Sequence, residues 1–482
     1  MGSSRCALAL LVLATSCRPS PQPLAPLPFV KPAIPPIATL DDPTFFGYLR
    51  VRDPLGLARR FGGKLPALAA SSLEALPVDR ASALFAWRPE NDLPKDLPLV
   101  GLVPLPESSQ LVGLAKLFVP TVQTAPLGRD TLVALNAEGL ARAQTRGDWL
   151  TRVIETGPGD LLLQVQLDAL IQKYGAALAK RPRALLERWQ SLVLGLSVEP
   201  QTIELFAITR GRRPAMARPA LHPELGRFLP PGDVRFQAAA GAFAEVPLPG
   251  LEPWQKQWAE TVGERGEWAL SASFNAQRGL RITQIVFSDR AEELLRVWRQ
   301  LHTGIRDAAF RSNFDRQGIL SQYRDAGEVR KILGWPVYRE ELPVTVKEPS
   351  KMGEWVLRLF GERIEMETLR IGPYLVWMMN GSADELESIA RALAHGEPSQ
   401  PGLVAQRVWP GGGLVYGDVD VQRLWNSYAV LVQPTLPRPL PQIDRALPIV
   451  TLAGYERGPE TYYRLKVPEV VLAQVREILS HR

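Results

Sequence analysis

From about Thr44 the chain alternates short stretches of strand-like hydrophobicity with longer stretches of helical periodicity. The clearest instance predicts strands over 268–274 and 280–287, joined by a turn and followed by a helix. Ser288 or Asp289 can cap that helix, and Ala291, Leu294, Leu295, Trp298 and Leu301 recur at the spacing of one buried face. A second instance places strands over 363–369 and 374–379 around Gly372-Pro373. There Ser382 and Glu385 form a capping box, Leu386, Ile389, Ala390 and Leu393 form the apolar stripe, and Gly396 stops the helix. A third closes the chain, with strands over 449–455 and 461–467 about Arg457-Gly458. Pro468 then opens a helix that turns Val471, Val475 and Leu479 inward. A weaker copy begins near Leu192.

These units share an opening phrase. Pro158-Gly159-Asp160, Pro231-Gly232-Asp233 and Pro410-Gly411-Gly412 each release a strand expected to run straight into a helix. The first two phrases lie 73 residues apart and the last two 179 apart, leaving room for a divergent copy between them. The stretch Tyr48 to Asp53 heads a first unit. The pattern predicts four or five degenerate units of roughly 75–95 residues each. The fold class expected is therefore α+β: tandem degenerate units of antiparallel strands with helices packed on one face. Proline-rich boundaries fall at 213–233 and 397–402, whereas 434–448 reads as a loop inside a module.

The first 43 residues break this pattern. A single Arg5 precedes a short apolar run over 6–14, which is far below the roughly 20 residues that span a bilayer. The run ends in Ala14-Thr15-Ser16-Cys17, small residues before a cysteine. This segment resembles the signal peptide of bacterial lipoproteins. The resemblance covers residues 1–17 only, and Ala14 stands where that family prefers leucine. It implies cleavage before Cys17, a diacylglyceryl thioether on its sulfur, and further acylation such as palmitate at the new amino terminus. One chain binds reversibly, so multiple acyl groups make the anchor stable. Arg18 follows the cysteine in place of the aspartate that retains some lipoproteins at the inner membrane, which implies the outer membrane. Residues 18–43 then carry Pro19, Pro21, Pro23, Pro26, Pro28, Pro32, Pro35 and Pro36, a density that suits an extended tether. The expected organisation is signal peptide 1–17, tether 18–43, and α+β modules over 44–230 and 231–482.

Composition narrows the chemistry. With Cys6 removed and Cys17 acylated, the mature chain has no thiol, which excludes disulfides, cysteine nucleophiles and cysteine metal sites. An apolar content of 46% supplies a large core instead. The four histidines, His222, His302, His395 and His481, lack metal-ligand spacing, and His302 and His395 fall in the last turns of predicted helices. No nucleophile elbow, phosphate loop or dinucleotide fingerprint occurs, and Gly411-Gly412-Gly413 precedes a strand, the wrong place for a phosphate cradle. Asp418 and Asp420 share one strand face at a spacing that could serve acid–base work, but any such pair in a strand offers it. Glu365 and Glu367, with Arg363, read as a solvated face. Trp254 and Trp258 lie one turn apart with Val262 and read as core, with a stacking platform for sugars or peptides as the sharper alternative.

The net charge is +6. The arginine clusters Arg181-Pro182-Arg183 and Arg210-Gly211-Arg212-Arg213 would face lipid phosphate or acidic cell-wall polymer in an exported protein. The body resembles bacterial envelope lipoproteins built of repeated α/β units, a likeness of architecture alone. The function expected is a lipid-anchored cell-envelope protein, non-catalytic, presenting modules for binding or assembly. Its partners would be the membrane through Cys17 and an envelope protein or cell-wall polymer, with no cofactor, no metal and no nucleic acid. Two alternatives stand beside it: a membrane-anchored periplasmic hydrolase, and a carrier of a hydrophobic ligand.

Overall fold

The computed structural model describes residues 37–53, 81–89, 97–106, 121–177, 189–211, 225–239, 252–275, 279–305, 319–346, 351–409, 413–433 and 439–480, apart from a few single positions. The signal peptide, Cys17 and most of the tether lie outside them, as do His222, His481, Arg181, Arg183, Arg212 and Arg213. Among the described residues no helix is long and apolar enough to cross a membrane.

The chain divides into two compact units. One comprises Pro32–Ala217 and Tyr455–Glu469. Its elements are β1 (Phe45–Val51), β2 (Ser82–Trp87), β3 (Leu99–Val103), β4 (Gln123–Leu127), β5 (Asp130–Ala134), α1 (Ala137–Gln144), α2 (Gly147–Thr156), β6 (Leu161–Gln166), α3 (Leu167–Tyr174), β7 (Trp189–Val198) and β8 (Thr202–Gly211), joined by the late strand β19 (Glu460–Pro468). All pairings are antiparallel, in the order β4-β5-β3-β2-β1-β6-β7-β8-β19. Trp149 of α2 meets the rings of Phe45, Tyr48 and Phe85 on one face of this sheet. Arg50, almost fully buried, ties the sheet to the end of α2 by donating to the Ile154 and Gly159 carbonyls.

The other unit includes Arg218–Gly454 and Val470–Arg482. It holds β9 (Val234–Ala239), α4 (Glu252–Val262), β10 (Glu267–Asn275), β11 (Gly279–Phe287), α5 (Ala291–Ile305), β12 (Ile319–Ser321), β13 (Arg324–Ile332), β14 (Trp335–Val346), α6 (Lys351–Phe360), β15 (Arg363–Ile371), β16 (Tyr374–Met379), α7 (Ala383–His395), α8 (Val404–Val408), β17 (Val415–Val419), α9 (Val421–Val432), β18 (Val450–Arg457) and α10 (Glu469–Ser480). Its strands are again antiparallel, in the order β13-β14-β15-β16-β11-β10-β9-β17-β18, and β12 pairs with the far end of β14.

The expected hairpins and their helices form within two residues of the read boundaries. Ser382 Oγ accepts the Glu385 N–H and Gly396 closes α7 at a positive φ of 68°. The opening phrases behave unevenly. The strands β6 and β17 run into α3 and α9 as read, whereas 240–251 after β9 lie outside the described residues.

The expectation of helices on one face is corrected in the second unit. Here α7 packs Leu386, Ile389 and Leu393 with Ile285, Val376 and Leu369 on one side of the sheet. On the other side, α4 and α5 bring Trp258, Val262, Leu294 and Trp298 against Val286 and Leu375. Successive residues of a strand point to opposite faces, so the consecutive apolar pairs Ile285-Val286 and Leu375-Val376 demand cover on both. Trp258 is 1% exposed, as the core reading of its stripe required, and the Trp254 side chain lies outside the described residues.

Candidate functional site

The principal cavity of the second unit, about 990 Å³, opens at the strand ends where α6 finishes and α7 begins. It is lined from Gly279 at the start of β11, by Glu354, Leu357 and Arg358 of α6, by Gly361 to Glu365 leading into β15, and by the turn 380–383. Gly279 is required there. Its φ is 73°, and a Cβ would stand 2.5 Å from the Leu359 carbonyl oxygen, so only glycine lets α6 end so close to β11.

Asn380 organises the cavity floor. Its backbone takes the left-handed φ of 52°, which asparagine tolerates better than most residues. Its side chain accepts the Glu365 N–H and donates to the Leu280 and Phe360 carbonyls, joining β15, β11 and α6 through one amide. Around the rim, Arg363 pairs with Glu341 and with Glu365, and Arg281 pairs with Glu385 of α7. Arg358 differs from these. Its Nη1 is buried and has no hydrogen-bond partner among the described residues. Glu354 and Glu362 also line the cavity, and neither forms an ion pair among the described residues.

A second feature lies on the first unit. The sheet face opposite Trp149 carries two aligned apolar rows. One runs Leu84, Leu49, Leu163, Leu194 and Ala207 across β2, β1, β6, β7 and β8. The next runs Val51, Leu161, Leu196, Leu205 and Leu465 across β1, β6, β7, β8 and β19. Within them Leu84, Leu194 and Leu205 remain 44%, 42% and 41% exposed.

The carboxylates singled out in sequence are occupied by structural bonds. Asp420 is not on the β17 face. It follows the strand and caps α9, its carboxylate accepting the Arg423 N–H. Asp418 is buried and accepts the N–H groups of Val404 and Ala405. Burial raises its pKa, and those two bonds with the nearby Arg235 offset this only in part. Glu367 corrects the solvated-face reading. It is buried under a bidentate bond from Arg330 and two further bonds from Arg339, while Glu365 stays partly exposed beside Arg363. Burial alone would raise the pKa of Glu367, but the two guanidiniums win and hold it below the usual value. In the first unit Glu204 is likewise buried under a bidentate bond from Arg464.

His395 sits exposed in the last turn of α7, the helix-end position expected of it, and His302 lies in α5 with its side chain outside the described residues. Arg210 ends β8 as an exposed residue. No cluster of metal-ligating residues occurs among the described residues. Sequence reasoning missed Arg358 and Asn380. Arg358 reads from sequence as an ordinary cation in a helix's last turn, and only its unpartnered buried nitrogen marks it.

No family model, curated protein or solved structure matches this chain.

Proposed function

We propose that this is a lipid-anchored protein of the bacterial cell envelope, non-catalytic, held at the outer membrane through Cys17 and presenting α/β modules for binding or assembly. The observation that carries the binding reading is the pair of leucine rows on the first unit's sheet. Large apolar side chains left two-fifths exposed in adjacent register form the kind of contiguous patch that marks a contact surface. Arg363 and the buried Asp418, Glu367 and Glu204 support the same reading, because each is engaged by neighbouring groups and so holds the fold.

The modules are read as degenerate repeats. Asp160 donates its N–H to the Leu196 carbonyl and accepts the Val198 N–H on its carboxylate. Asp233, in the same Pro-Gly-Asp phrase, donates to the Ala272 carbonyl and accepts the Phe274 N–H, two residues on in both cases. The carbonyl of each aspartate then receives an N–H from just past a neighbouring strand, Arg52 after β1 and Asp420 after β17. Within these strand pairs Tyr48 and Tyr416 hold corresponding buried positions, as do Gln164 and Gln237. Chance reuse of α+β patterns does not account for a shared set of backbone bonds.

The anchor is tested by fractionating cells that express the native chain or Cys17→Ala during metabolic fatty-acid labelling. The expected result is label and membrane residence in the native chain and loss of both in the variant. A native chain that stays unlabelled and soluble would remove the envelope assignment.

A further inference from the structure

The cavity at the ends of α6 and β15 has an electrostatic composition that selects among ligands. Arg363 is already neutralised by Glu341 and Glu365, and Arg281, just behind the rim, by Glu385. Arg358 remains, with a guanidinium N–H buried and unbonded among the described residues. Buried donors are rarely left without an acceptor, and a guanidinium bonded to an oxyanion is among the strongest such contacts in proteins. Glu354 and Glu362 stand in the same wall with no counter-ion among the described residues. A purely anionic ligand would satisfy Arg358 and be repelled by these two carboxylates. A purely cationic one would satisfy the carboxylates and leave the arginine donor unmet.

We propose that this cavity binds a small zwitterion, an amino acid or short peptide with free termini. Its carboxylate lies against Arg358 and its ammonium against Glu354 and Glu362. A volume near 990 Å³ exceeds what one amino acid fills and suits a few residues of peptide. Asn380 and Gly279 hold the walls, and their backbone conformations fix the approach of α6 to the sheet. The site is independent of the leucine rows and of the anchor.

Isothermal titration calorimetry on the full chain tests this with four probes: L-alanyl-L-alanine, its N-acetyl form, its C-terminal amide and inorganic phosphate. The free dipeptide is expected to bind, and each blocked form to bind about tenfold more weakly or worse, since each loses one charge-assisted contact. Arg358→Gln should abolish the preference for a free carboxylate, and Arg358→Lys should restore part of it. No heat from any probe at millimolar concentration would overturn the proposal, as would equal binding of the free and N-acetylated dipeptides. Binding of phosphate alone would also overturn it, reducing the cavity to a simple anion site. The blocked probes report on the native chain, so the outcome does not depend on how well a variant folds.

Discussion

At the scale of single residues, Glu367 shows how buried charge stabilises the second unit. Its carboxylate is 9% exposed and is shared by two guanidiniums that keep about a third of their own surface in water. Removing one partner of such a pair strands the others, so Glu367→Gln should cost about 2–4 kcal/mol, toward the low end because both arginines are partly solvated. The pH dependence follows from the sign of the shift. The folded pKa lies below the unfolded value of about 4.3, so the stabilisation is complete above that value and is lost as pH falls through the folded pKa. Asp418 acts in the opposite sense. Its folded pKa is raised, so its contribution is greatest below about pH 3.9 and is lost as pH rises through the raised value. Melting temperatures of the native chain and Glu367→Gln across about pH 3 to 7 should converge toward the acid end. A gap that stays constant over that range would contradict the assignment. The sequence places Glu365, Glu367 and Arg363 on one strand face, but it does not register β13 and β14 beside β15. Arg330 and Arg339 were therefore invisible as partners, and a buried ion pair read as a solvated face.

At the scale of elements, the local signals were legible and the layering was not. Capping at Ser382, the stop at Gly396 and the turns at Gly372 and Gly458 each depend on residues within one turn of one another, so the sequence contains them whole. Which face a helix covers depends on strands far away in the chain. The pairing of β11 with β16 across 374–379 is what creates a sheet needing cover on both sides. The repeated aspartates allow a test at this scale. Asp160→Ala and Asp233→Ala each remove one carboxylate bond to a strand-end N–H, at corresponding places in two modules. Each should destabilise by about 1–2 kcal/mol, the cost of an unmet backbone donor, with Asp233 toward the upper end because it also accepts from Ser427. Differential scanning calorimetry of both variants checks this, and a neutral Asp160→Ala would separate the two modules physically.

At the scale of the whole molecule, the account rests on three features: a cysteine placed for acylation, a proline-rich segment behind it, and a body with two antiparallel sheets. The candidate cavity was not legible in advance, because its walls come from 279, from 354–365 and from 380–383, segments whose proximity only the sheet order supplies. The leucine rows were hidden for the same reason. Leu84, Leu194 and Leu205 each look like core residues of a half-buried strand until register aligns them on one face. The anchor, by contrast, is entirely a matter of sequence. Mass spectrometry of the N-terminal peptide from protein purified out of membranes tests it most directly. The account predicts a peptide that begins at Cys17 and carries a diacylglyceryl group on sulfur with a further acyl chain on its amine. A peptide beginning elsewhere, or an unmodified Cys17, would contradict it.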